Sequence, residues 1–211
     1  MLLKLLSEPD QKHLLDLAKL LALADKPLLW DGKTSDEFTS STDLSALSIQ
    51  EGEKEREMIT ELEQSITRPS LSTSMFGSAS TSSSMFGRSS PATFMFGGKP
   101  SDDVAAQLIE ALKKYPVSKA EKPETRVQAA TTVLKELLKD KKFELPTAPK
   151  VILFELLLVA LRDGTITSVE WALLKEFQLH HQLEDFIFDD LLERAETLNQ
   201  EVSKTISIIL E

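Results

Sequence analysis

Between Val151 and Leu161 a single polar side chain, Glu155, interrupts an otherwise continuous apolar run. Pro146 and Pro149 precede the run and Asp163-Gly164 follows it, so it is bounded as helices are. A helix that is apolar on nearly every side has no face to offer water. It must lie in the middle of a bundle or cross a membrane. Eleven residues rise only about 16 Å as a helix, roughly half of a bilayer's hydrocarbon thickness, and Glu155 would lie within it. The run therefore predicts an all-α fold, a compact helical bundle with this segment at its centre. Asp163-Gly164 then turns the chain into another helix, beginning at Thr167 or Ser168.

Composition agrees with a helical chain. Leu is abundant, while the 211 residues include 7 Gly and 6% aromatics, a balance that favours helices over sheets. There is no Cys, which excludes disulfides, thiolate metal sites and a Cys nucleophile. A formal net charge of −10 lacks the basic footprint of a nucleic-acid binder. That charge is uneven. Residues 36–63 and 170–201 each carry nine acids against two bases, whereas residues 104–150 carry ten bases against six acids. A basic middle between acidic flanks points to internal complementarity. The start, Met1 to Leu6, is apolar, but Glu8, Asp10, Lys12 and Asp16 follow too soon for a signal peptide. The expectation is a soluble, cytoplasmic protein with no transmembrane segment.

Three segments are expected. Residues 1–67 form a first helical half. Ser7 can cap its leading helix, Pro9 fits the first turn, and Leu14, Leu17, Ala18, Leu21 and Ala22 recur at helical spacing up to Asp25. Residues 26–49 read as a long connection, and Ile49 to Ile66 as a helix with Met58, Ile59, Leu62 and Ile66 on one side. Residues 68–100 change character. Ten serines lie between Ser70 and Ser90, and Met75-Phe76-Gly77, Met85-Phe86-Gly87 and Met95-Phe96-Gly97 repeat every ten residues. Such a segment buries too little apolar area to offset its ordering entropy, so it predicts a disordered, low-complexity linker. The constant spacing also suits multivalent docking of a protein partner through Met75, Phe76, Met85, Phe86, Met95 and Phe96. Residues 101–211 form a second helical half, in which Leu183 to about Asn199 is the last helix and the tail to Glu211 extends it or turns separately.

The two halves match each other. With Asp25 set against Asp163, Leu14, Leu15, Leu20, Leu21, Ala22 and Leu23 face Ile152, Leu153, Leu158, Val159, Ala160 and Leu161. Both segments end in Ala-Leu-x-Asp. The stretch Ala160-Leu161-Arg162-Asp163-Gly164-Thr165-Ile166-Thr167-Ser168-Val169-Glu170 resembles the Ala-x-x-Asp-Gly-x-Ile-x-x-x-Glu signature of TerB-like tellurite-resistance domains. Leu173-Leu174 and a further amphipathic helix follow, as in that family, and Leu14 to Asp25 resembles its first-repeat helix. Two departures stand out. Lys26-Pro27 and a long loop replace the family's Gly after Asp25, and the Met-Phe-Gly insertion is foreign to the compact domain. The resemblance implies an all-helical, non-catalytic module of stress or tellurite response. It also implies acidic divalent-metal sites and membrane-linked complexes, hence a protein partner and peripheral membrane association.

Asp163 and Glu170 are the foremost cation-ligand candidates, followed by Asp25 and Asp31. Asp163-Gly164-x-Ile166-x-x-x-Glu170 matches the second half of an EF-hand loop, but Val159 and Leu161 occupy two earlier ligand positions and cannot bind a cation. A divalent cation would therefore need acids from elsewhere. The same residues also have an ion-free reading. Thr167-Ser168-Val169-Glu170 is a capping box, Gly164 a helix terminator, and Asp31-Gly32 a turn. Asp185, Asp189 and Glu193 read as a solvated face opposite Phe186, Ile187, Leu191 and Ala195. A histidine metal site would require His13, His180 and His181 to converge. The sequence contains no Gly-rich phosphate loop, nucleophile elbow or His-Glu-x-x-His pattern. Two functions follow. One is a non-catalytic module that binds a divalent cation through acidic residues. The alternative is a metal-free adaptor that recruits partners through the Met-Phe-Gly repeats.

Overall fold

A computed structural model describes residues 2–67 and 103–210. The linker expected over residues 68–100, with its Met-Phe docking residues, lies outside the described residues. In chain order the elements are α1 (Glu8–Leu23), β1 (Leu28–Trp30), β2 (Leu47–Ile49), α2 (Glu53–Thr67), α3 (Val104–Leu112) and α4 (Val117–Ala120). They continue with α5 (Pro123–Leu138), α6 (Ala148–Ala160), α7 (Ser168–His180) and α8 (Asp185–Leu210).

The apolar run becomes α6 and takes the central place its composition requires. Ile152, Leu153 and Leu157 are fully buried, and α6 packs against α1, α7 and α8. Helix α1 in turn meets α2, α3 and α5, and α5 meets α3 and α7. The result is one continuous apolar core drawn from both halves, with Leu14, Leu20, Leu108, Leu138, Ile152 and Phe177 inside it. Each such side chain contributes about 1.5–3 kcal/mol by leaving water. Glu155, the polar interruption, is 1% exposed. Its Oε1 accepts the Leu2 N–H, which ties the short 3-10 turn Leu3–Leu5 to α6, and its Oε2 is buried without a hydrogen-bond partner.

The helical expectation needs one correction. Within residues 26–49, read as a connection, β1 and β2 pair antiparallel, with Leu28 opposite Ile49 and Trp30 opposite Leu47. After β1 the Asp31-Gly32 turn folds Lys33 back onto Trp30, and the chain reaches β2 only after the 3-10 turn Ser35–Glu37. Asp31 and Gly32 are left-handed, at φ 53° and 73°, and Trp30 and Lys33 exchange backbone hydrogen bonds of 2.8 and 3.0 Å across them. This is the conformation a two-residue hairpin turn demands. Leu28 and Trp30 face inward at 0% and 1% exposure and close one side of the core. Ile49 therefore belongs to a strand, and α2 begins at Glu53.

One smaller difference lies in the second half. Phe186 is exposed at 57%, and Phe188 is the buried residue of that turn. Its ring packs edge-on against Trp171 at 5.4 Å, and this contact with α7 sets the phase of α8. Helix α8 also runs unbroken to Leu210. No described helix is long and apolar enough to cross a membrane.

Candidate functional site

Helices α1 and α6 lie against each other, and the residues following α1 meet the end of α6, with Lys26 reaching Asp163. A small cleft of about 20 Å³ sits at this corner, walled by Ala22, Met58 and Val159 and edged by Lys26, Arg162, Asp163 and Glu170. Such a volume admits about one water-sized species.

Local rules place each acid. Helix α6 ends in a 3-10 turn, Leu161–Asp163, which Gly164 terminates at φ 89° in the left-handed region. Thr167 then caps α7. Its Oγ1 accepts the Glu170 N–H at 3.3 Å, and the Glu170 carboxylate accepts the Thr167 N–H at 2.8 Å. The capping box is thus present, and it holds Glu170 at 9% exposure beside the cleft. Burial raises the Glu170 carboxyl above its usual range. The Thr167 hydrogen bonds oppose this, Asp25 adds to it and Lys26 opposes it.

Of the four expected acids, Asp163 and Glu170 edge the cleft, and Asp25 lies beside it, 3.9 Å from the Lys26 Nζ. The fourth, Asp31, is a hairpin-turn residue whose N–H donates to the Ala46 carbonyl at 2.9 Å, and it is not among the residues lining the cleft. Between the acids stands Lys26. Its Nζ lies 3.9 Å from Asp25 Oδ1 and 3.8 Å from Asp163 Oδ2. An ammonium thus occupies the place where carboxylates converge. Among the described residues, no group of three or more His, Asp or Glu has an arrangement that could hold a metal ion.

A second cation supports the corner from below. Arg126 of α5 is 4% exposed. Its Nη1 donates to the Ala24 carbonyl at 3.4 Å and its Nη2 to the Lys26 carbonyl, so a full charge serves the C-terminal carbonyls of α1. On the outer side Arg162 Nη1 meets Glu61 Oε2 at 3.3 Å. Sequence reasoning missed Lys26 and Arg126. Lys26 had one visible signal, since it takes the position that Gly164 takes in the second half.

The histidines form a separate cluster. His13 and His181 flank Phe143, with ring centroids 5.9 and 5.1 Å away, and His180 stacks edge-on against His181 at 4.8 Å. The Nε2 atoms of His13 and His181 are buried without hydrogen-bond partners. Burial lowers both imidazoles to about 4, helped at His13 by Lys141 and at His181 by His180. Lys141 bridges to Asp10 at 2.8 Å and donates to the Pro9 carbonyl at 3.2 Å, pinning the α5–α6 connection to the start of α1. Among the described residues no three such side chains, these imidazoles included, are arranged to hold a metal ion.

Asp185, Asp189 and Glu193 are all exposed, as a solvated face requires. No protein-family model, curated protein or solved structure matches this chain.

Proposed function

We propose that this chain is a non-catalytic helical interaction module of the TerB-like stress-response kind, and that it works through the projecting end of α8. The observation that carries this reading is a packing face that outruns the body it packs on. Phe188, Leu191, Leu192 and Ala195 hold α8 to the core. The same stripe continues through Leu198, Val202, Ile206 and Ile209, exposed at 44%, 48%, 50% and 74%. At Asn199, Nδ2 donates to the Leu161 carbonyl at 2.9 Å, and residues 200–210 beyond it are all exposed. An exposed helical stretch of this kind, rich in β-branched residues, is marginal in water, and a partner helix would stabilise it. Asp185, Asp189, Asp190, Glu193 and Glu196 on the same helix select a partner with an apolar face and basic flanks. The TerB-like signature at Ala160–Glu170 supports the class, and the stress or tellurite role comes with that resemblance.

The test uses a fluorescent Leu/Lys amphipathic peptide and its Leu/Glu counterpart, followed by anisotropy. The basic peptide should bind, and Val202→Glu with Ile206→Glu should weaken it by about tenfold or more, since each buried aliphatic contributes about 1.5–3 kcal/mol. Equal binding of the acidic peptide, or unchanged binding by the double variant, refutes the reading.

A second reading is favoured by one observation, the convergence of the matched Asp25 and Asp163 with Glu170. In it a divalent cation enters the corner by displacing the Lys26 ammonium. Melts with EDTA, magnesium, calcium, manganese or zinc test it on wild type, Asp163→Ala and Lys26→Gln. A cation bound by the folded state raises the midpoint by mass action, most in Lys26→Gln and least in Asp163→Ala. No shift in wild type or in Lys26→Gln refutes it.

A further inference from the structure

The connection from α5 to α6, residues 139–147, has no helix or strand of its own, yet it is tied to α1 and to the end of α7. Asp140 adopts a left-handed φ of 60°, a conformation that costs a non-glycine residue free energy and persists only where other contacts hold it. Those contacts come from the next residues. Lys141 Nζ meets Asp10, 2% exposed, at 2.8 Å, donates to the Pro9 carbonyl at 3.2 Å and lies 5.3 Å from the Phe143 ring centroid. The Phe143 ring packs against His13 and His181, with centroids 5.9 and 5.1 Å away, and His181 packs in turn against Phe177 at 4.5 Å. Within this cluster the Nε2 atoms of both imidazoles are buried without hydrogen-bond partners.

We propose that residues 139–147 form an acid-released strap: protonation of His13 and His181 unseats Phe143 and opens this connection while the helical bundle stays folded. The reason lies in the two Nε2 atoms. A neutral imidazole has one nitrogen without a proton, whereas an imidazolium donates from both. A buried donor with no acceptor is costly, and a buried unpaired charge more so. The groups facing the pair offer little relief. Lys141 from the strap and His180 from α7 oppose a positive charge, and Asp10 from α1 is the acid that favours one at His13. Asp10 is already committed, to Lys141 and to the Ser7 hydroxyl, which donates to it at 2.8 Å. Water can reach the two rings once Phe143 leaves, and release also relieves the left-handed backbone at Asp140. The strap is the element to give way, because the rings it touches stand on α1 and at the C-cap of α7, both packed on the core. Acid thus uncovers Phe143 and the rings packed on it, an apolar surface separate from that of α8. This inference does not rest on the α8 surface.

The test is amide hydrogen exchange of the full chain between pH 7 and 4.5, corrected for the intrinsic pH dependence of exchange. The strap amides are those of Lys141 and Ala148, which donate to the Leu138 and Leu145 carbonyls at 3.2 and 3.1 Å, and Leu153 and Leu157 of α6 report the core. Each imidazole that gains its proton on opening raises the opening constant about tenfold per pH unit inside the window. The strap amides should therefore open about ten- to a hundredfold more per unit of acid, while Leu153 and Leu157 remain more protected than they are at every pH. His13→Gln should lower that dependence by about tenfold per unit, and His13→Gln with His181→Gln should abolish it. Should the double variant lose the wild-type melt, Phe143→Ser serves in its place, and in it His13 and His181 should titrate close to 6.5 in the folded protein. Three results overturn the proposal: strap and α6 amides with the same opening constant at every pH, a strap dependence that survives removal of both imidazoles, or imidazoles in Phe143→Ser that titrate as in wild type.

Discussion

His13 and His181 make the stability of this fold fall with acid, and the size of the effect follows from their burial. Both imidazoles are lowered to about 4 from 6.5. Above pH 6.5 both are neutral whether the chain is folded or not. Below it the unfolded chain takes up protons that the folded protein refuses until near pH 4. Unfolding therefore gains protons across that window, stability declines as pH falls from 6.5 to 4, and it levels off below. At about 1.4 kcal/mol per unit, His13 accounts for at most about 3.5 kcal/mol. His181 is half-buried at the α7 C-cap, and solvent screening leaves it about half of that. The groups facing the pair are Lys141, His180 and Asp10, and only Asp10 favours the charged form of His13. Glu170 works the other way, because its raised carboxyl holds a proton more tightly in the fold. The decisive comparison is therefore wild type against His13→Gln in urea unfolding at pH 7, 6, 5 and 4.5. The variant should be less pH-dependent by up to about 1.4 kcal/mol per unit inside the window. Identical slopes, or a His13 imidazole that titrates near 6.5 in the folded protein by NMR, would refute the reasoning.

Three substitutions probe the scaffold by denaturant melts. Gly164→Ala should cost about 1–2 kcal/mol through backbone strain alone, since φ is 89° and an added Cβ meets nothing within 4 Å; a neutral result would mean the corner relaxes. Thr167→Ala removes the hydroxyl that accepts the Glu170 N–H and should cost about 1 kcal/mol. Leu157→Ala, at 0% exposure in α6, should cost about 2–5 kcal/mol; a loss below 1 kcal/mol would argue against a central α6.

What the sequence made legible was whatever depends on neighbours in the chain. The α6 core needs only an apolar run broken by one residue, and the start of α7 needs only Thr167 and Glu170 three residues apart. The hairpin was hidden because each strand has three residues, too few for an alternating pattern, and the partners Leu28 and Ile49 lie far apart in the chain. The Asp31-Gly32 turn was visible, but it closes only the Trp30–Lys33 bridge and says nothing of the partner strand at Leu47–Ile49. Phe186 and Phe188 are equally apolar, and only the Trp171 ring on another helix decides which is buried.

The corner between the halves follows the same logic to a less obvious end. Asp25 and Asp163, set against each other in the sequence, both lie within 3.9 Å of the Lys26 Nζ. The same alignment marks Lys26 as a break in the pattern. The break has a physical reason. The second half must turn sharply after Asp163, so it needs a residue free to adopt positive φ, and Gly164 provides that. The first half leaves α1 through Pro27 into a strand and has no such need, so its equivalent position can carry a long side chain. That side chain reaches Asp25 of its own half and Asp163 of the other, while Arg126, a hundred residues away in sequence, holds the Lys26 carbonyl. The position that breaks the sequence match therefore places an ammonium within 3.9 Å of both acids, and any cation proposed for this corner has first to compete with it.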